Sequence, residues 1–151
     1  MRKHNSPAMA DSKTLLENCL YFTANALART ITRLAEEAFA PVGLSPSQAF
    51  LIMLALESPG ITPTELAVRL HLAPSTVSRL AEGLVRRGLV ERRSQGKSAH
   101  FHPTAQGKDM ADPIAAAWKS LHRRYSDVLG EDTGTDLTRV IHQSCQILEQ
   151  S

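Results

Sequence analysis

Cysteine and long apolar runs are scarce in this chain, and each scarcity removes a class of protein. Cys19 and Cys145 are the only cysteines in 151 residues, far apart and without metal-type spacing. That excludes a disulfide framework and a zinc finger, leaving packing or redox chemistry as their roles. The longest apolar run, Ala49 to Leu56, is far shorter than the ~20 residues that span a bilayer. The opening MRKHNSPAMADSK has no apolar segment of the signal-peptide kind, so a cytoplasmic protein with no membrane partner is expected. No Gly-rich phosphate loop, nucleophile elbow or paired-carboxylate constellation occurs, and neither enzymatic activity nor a cofactor is expected. His142 with Cys145, and His100 with His102, each share a face, but two ligands do not make a metal site. Charge of one sign is not in excess either, since the formal net charge is only +2. What matters is where the cations sit.

Arg79, Arg86, Arg87, Arg92, Arg93 and Lys97 are concentrated in one stretch, ITPTELAVRLHLAPSTVSRLAEGLVRRGLVERRSQGKSAHF, residues 61 to 101. Thr62 and Glu65 form a capping box, and Pro63 stands at the first helical position, where its missing N–H is harmless. Leu66, Ala67 and Leu70 give this helix one apolar face. Leu72-Ala73-Pro74 then forces a turn, because the residue before proline avoids helical angles. A second helix starts at Pro74. Its apolar positions Val77, Leu80, Ala81 and Leu84 follow helical spacing, which turns Ser75, Thr76, Arg79, Glu82 and Arg86 to the other side. Short hydroxyls permit close approach to a phosphate backbone or base edge, and an arginine reaches the acceptors of guanine in a major groove. This is the pattern of a recognition helix. Gly88 ends it, Leu89 to Arg93 reads as a strand, Ser94-Gln95-Gly96-Lys97 is turn-like, and Ser98 to His102 returns. The product is a basic hairpin, with Arg92, Arg93 and Lys97 placed to meet phosphates or a minor groove.

On either side lie helices. Ser12 is placed to cap a long one running to about Phe39, stopped by Pro41 and Gly43. Leu16, Leu20, Leu27, Ile31, Leu34 and Ala38 form one apolar stripe on it, and Leu15, Cys19, Phe22 and Ala26 another, more than a single neighbour covers. Ser45-Pro46 starts the next helix, with Phe50, Leu51, Met53, Leu54 and Leu56 as expected core. Thr104 caps a helix to about Leu129 that Pro113 kinks or resets, and Gly130 closes it. Thr135 is placed to cap a last helix with apolar Leu137, Val140, Ile141, Cys145 and Leu148. Surplus apolar surface at both ends predicts a two-fold homodimer.

This order of elements resembles the MarR (multiple antibiotic resistance regulator) family of winged-helix transcription factors, from about residue 12 onward. The resemblance is carried by GLSPSQAFLIMLAL (43 to 56), ELAVRLHLAPSTVSRLAEGLVRRGLVERR (65 to 93) and HPTAQGK (102 to 108). It implies a single, mainly α domain: a winged helix-turn-helix over 45–103 and dimerisation helices over 12–40 and 104–150. It also implies a homodimeric repressor that binds double-stranded DNA at a pseudo-palindromic operator and is released by a small ligand or oxidant. Matched by position, Ser75, Thr76, Ser78 and Arg79 contact DNA from the recognition helix, with Arg86 and Arg92 beside them and Lys97 and Ser98 at the wing tip. Many members carry a longer wing with an Asp-x-Arg signature; this chain has the shorter RRSQGKSAH, where Lys97 is the weaker substitute. In the family, ligands lodge between the dimer helices and the reading module, which makes Phe22, Phe50, Met53, Trp118, His122 and Tyr125 candidate pocket liners, beside plain core packing. In the hydroperoxide-sensing branch a cysteine in this general region is oxidised, so Cys19, with Cys145 as partner, is a candidate thiol switch beside plain packing. A winged helix used only for protein contacts is the other alternative.

Overall fold

The computed structural model describes residues 11–151, which fall into two compact units, one ending at Arg33 and the other spanning Leu34–Ser151. The first unit holds α1 (Ser12–Glu17) and the start of α2 (Leu20–Phe39). A single helix from Ser12 was the expectation, and the chain breaks instead at Asn18 and Cys19. Asn18 donates its side-chain amide to the Thr14 carbonyl at 2.8 Å and leaves helical angles, the usual way asparagine competes with the helical ladder. The N-cap is Asp11 rather than Ser12, and its side chain makes no capping bond.

In the second unit the chain turns through Ala40–Val42, a short 3-10 segment closed by Gly43 at φ 73°, into α3 (Pro46–Glu57). Ser45 and Gln48 form a capping box around that start: the Gln48 N–H donates to Ser45 Oγ at 3.2 Å and the Ser45 N–H to Gln48 Oε1 at 3.1 Å. Because α3 is apolar on nearly every side, spacing could not choose its core face. Ala49, Leu51, Ile52 and Ala55 are the fully buried set, and Met53, expected in the core, is 40% exposed. Then follow α4 (Pro63–Leu70), α5 (Pro74–Arg86), β1 (Val90–Gln95) and β2 (Ser98–Pro103), the last two an antiparallel pair with Val90 opposite Pro103 and Gln95 opposite Ser98. The strands are longer than expected and the turn shorter, just Gly96-Lys97. Gly96 alone carries positive φ (61°), which fits a type II′ hairpin.

α6 (Ala105–Asp109) and α7 (Ala111–Leu129) replace the single helix expected from Thr104, with the break at Met110. Pro113 sits in the first turn of α7, where a missing N–H breaks no ladder bond, so it resets the helix rather than kinking it. The last helix, α8 (Glu131–Glu149), starts four residues before the expected cap at Thr135, which lies inside it. Gly130 at φ 89° leaves α7, and Gly134 lets α8 pass Tyr125 and Ser126 closely: a methyl there would stand 3.5 Å from the Tyr125 ring.

One core joins α3, α4, α5, the hairpin and α7. Phe39, Leu51, Ile52, Leu66, Val77, Leu84 and Ile114 have no exposed surface. Each such side chain contributes about 1.5–3 kcal/mol on leaving water.

The hairpin is fastened at its base by a tight junction. Thr104 Oγ1 donates to the Gly88 carbonyl at 2.6 Å and accepts from the Gly107 N–H at 3.1 Å, and a Cβ on Gly107 would stand 2.0 Å from the Leu89 carbonyl oxygen. That obstacle is backbone and cannot swing aside. Gly107→Ala should therefore cost about 3 kcal/mol in denaturant unfolding, whereas Gly96→Ala, with open space around it, should cost only the roughly 1 kcal/mol of left-handed backbone. Equal costs at the two positions would mean the junction is looser than described.

Candidate nucleic-acid interface

The outward face of α5 follows from its inward one. Val77, Ala81 and Leu84 are buried, so the 3.6-residue period turns Ser75, Ser78, Arg79, Glu82 and Arg86 outward, and all five are exposed. Thr76, expected with them, is half-buried at the edge of that stripe. Arg79, Arg86, Arg92 and Lys97 form no hydrogen bond or ion pair with any described residue. They are cations held on structure with nothing among the described residues to neutralise them.

Two other arginines of the expected cluster are engaged. Arg87 donates to the Gly43 carbonyl at 2.8 Å, tying the end of α5 to the turn before α3. Arg93 pairs with Glu91, two residues back on the same face of β1. Neither pairing has a sequence signal, because one partner lies 44 positions away and the other depends on strand geometry. Lys97 and Ser98 are exposed at the hairpin tip, as expected. The hairpin's position relative to α5 is set by Phe101, buried beneath the sheet and bridged to Ile61 through the Phe101 N–H, which donates to the Ile61 carbonyl at 2.9 Å. His100 adds a bond from Nδ1 to the Gly60 carbonyl at 2.8 Å.

Between α5 and β1 lies an open groove of about 250 Å³, where Ser78, Glu82, Val85, Arg86 and Arg92 surround Phe101. Three candidate DNA contacts, Ser78, Arg86 and Arg92, thus converge from two elements.

The remaining candidates do not form one site. Phe22 is in the first unit, 39% exposed. Phe50 packs edge-on against Phe39, ring centroids 5.8 Å apart, as part of the core. Trp118, His122 and Tyr125 do meet along α7, with centroids 6.5 Å apart for the first pair and 5.3 Å for the second, and His122 Nε2 lies 3.6 Å from Glu131. Cys19 is half-buried and Cys145 exposed, both free thiols. No group of three metal-ligating side chains occurs among the described residues, and no single helix among them is long and apolar enough to cross a membrane.

Two short helices joined at a left-handed His71 (φ 52°), the second exposing a polar face beside a basic hairpin, make this a winged helix-turn-helix protein. Residues 42–99 match the family model described as MarR family. Over 78 residues the chain is 40% identical to the HTH-type transcriptional regulator BhcR of Paracoccus denitrificans (strain Pd 1222), a match over 49% of this chain; the chain spans only 28% of that relative's length. Among solved structures it is similar to CouR from Rhodococcus jostii RHA1 bound to p-coumaroyl-CoA, with TM-score 0.73 and 24% identity, covering 91% of this chain and 95% of that one. It is similar too to the M. tuberculosis regulator MosR in complex with DNA, with TM-score 0.77 and 23% identity over 88% of this chain and 98% of that one. Apo MarR from E. coli gives TM-score 0.67 at 20% identity, covering 83% and 96% of the two chains. Residues 42–99 are thus similar to the MarR family, and the likeness to the solved structures extends the shared winged-helix fold over most of the chain.

The capping box of α4 also changes the acidity of Glu65. The Thr62 N–H donates to Glu65 Oε2 at 2.8 Å, and this bond, followed by that of the Thr62 hydroxyl, holds the Glu65 carboxyl below its ordinary value. A folded-state pKa below the unfolded one stabilises the fold above the unfolded value, and that stability is lost as pH falls through the folded one. Wild type should thus melt above Glu65→Ala near neutral pH and lose its lead in acid; a lead that persists when Glu65 is protonated would assign it to packing.

Proposed function

We propose that the protein is a homodimeric repressor that lays α5 in the major groove of double-stranded DNA at each half of a pseudo-palindromic operator. Ser75, Thr76, Ser78 and Arg79 face the bases. Arg86, Arg92, Lys97 and Ser98 face the backbone, and a small-molecule effector releases the complex. The carrying observation is the set of unpaired cations on α5 and the hairpin, held in place by fully buried neighbours. Such a set on a polar helix face beside a basic hairpin fits a phosphate backbone. Homodimerisation is supported by α8, where Val140, Ile141, Ile147 and Leu148 are 43–68% exposed and Gly134 is the single buried residue. So much apolar surface on one helix calls for a partner copy. The row Trp118, His122 and Tyr125 supports an aromatic effector, in keeping with the p-coumaroyl-CoA carried by the similar CouR structure. Nothing observed favours the thiol switch at Cys19 and Cys145 over packing.

Binding by Arg79→Ala and Lys97→Ala, measured on a selected operator and on random duplex across a salt series, tests this reading. Arg79→Ala should cost roughly 1–3 kcal/mol on the operator and relax preference at one position per half-site, and Lys97→Ala should weaken both duplexes alike. A wild type without sequence preference would defeat the proposal. Light scattering should give a dimer at micromolar concentration, and a well-folded monomer there would defeat its symmetric form.

A further inference from the structure

Glu82 is out of place on the outward face of α5. It stands one turn after Ser78 and Arg79 and one turn before Arg86, exposed, in the groove shared with Arg92. Yet it pairs with none of these arginines, and no hydrogen bond or ion pair to any described residue holds it. A carboxylate turned toward a phosphate backbone repels it. On a surface otherwise built to attract phosphate, such a group weakens every complex in which it finds no donor. The donors on the major-groove side of DNA are the exocyclic amino groups of cytosine and adenine. A carboxylate is an acceptor only, and the adenine amino group stands beside the N7 acceptor of the same base, whereas cytosine offers its N4 amino group without one. At 1.5 Å rise per residue, Glu82 lies about 10 Å along the helix from Ser75, roughly three base steps of about 3.4 Å, so a helix lying along the groove brings it to a base pair of the same half-site.

We propose that Glu82 is a specificity-determining residue, which accepts a hydrogen bond from the N4 amino group of a cytosine in each half-site and rejects sequences that place no donor there. This rests on α5 being the reading helix. The carboxylate then does two things at once: it rewards cytosine at one position, and it lowers affinity for random DNA, to which the surrounding arginines would otherwise bind indiscriminately. Val85, one turn along and 37% exposed, offers an apolar contact beside it to a thymine methyl.

The test uses the full-length dimer and an operator selected from a randomised duplex library, with every single-base variant of one half-site and a random duplex as competitors. Glu82→Ala should lower the preference for cytosine at one position by about tenfold or more and tighten binding to random duplex. Glu82→Gln keeps the shape and adds donors, so at that same position adenine should gain on cytosine. If both variants tighten operator and random duplex alike, with every base preference unchanged, Glu82 is a solvated charge and the proposal falls. Arg79→Ala measured in parallel separates the two levels. Altered base preference in Arg79→Ala with none in the Glu82 variants overturns Glu82 alone, whereas a wild type indifferent to sequence overturns the reading helix and Glu82 together.

Discussion

Everything the surface offers depends on the burial of one narrow apolar stripe on α5. Val77, Ala81 and Leu84 enter a core shared with α3, and their burial fixes the rotation of the helix about its axis. With that angle set, a 3.6-residue period leaves no choice about which side chains face water. Ser75, Ser78, Arg79, Glu82 and Arg86 are outside because the others are inside. A polar face produced this way is rigid, and rigidity is what direct reading of base edges requires: a side chain must arrive within hydrogen-bond distance without first being ordered.

The hairpin inherits its position from the same core by a different device. Phe101 plugs it from below, Ile61 pairs with it at the edge, and the contact of Gly107 with the Leu89 carbonyl locks its base against α6. Cations on two separate elements are thereby held in one register. Arg92 joins the groove of Ser78 and Arg86 because Phe101 is buried, not because the sequence places them near one another.

The last two helices follow an opposite logic. α7 is committed to the core through Ile114, Ala117 and Leu121, while α8 leans on it at Gly134 and leaves most of its apolar side chains in water. Towards its far end an exposed contact, His71 Nδ1 with Glu149 Oε1 at 3.2 Å, touches the turn between α4 and α5. An exposed pair of this kind adds at most about 1 kcal/mol. It adds little to the hold on α8, whose apolar face the described residues leave uncovered.

Local chemistry was legible from the sequence alone. The Thr62–Glu65 box, Pro63 and Pro74 at helix starts, Gly88 and Gly130 beyond helix ends, and the alternation of the hairpin each act within about four residues, so the helix-turn-helix, the hairpin and, Thr76 apart, the outward face of α5 could be read without coordinates. Tertiary structure decided what depends on distant partners or on a choice among equivalent faces. Periodicity could not rank Ile52 above Met53 on a helix apolar all round, nor show that Arg87 is spent on Gly43 while Arg86 is free. It also missed the early start of α8, because Gly130 at positive φ can open a helix as well as close one, and only the packing of Gly134 against Tyr125 shows which residues follow it into the helix. Sequence spoke where the cause was a neighbour in the chain; the fold spoke where the cause was a neighbour in space.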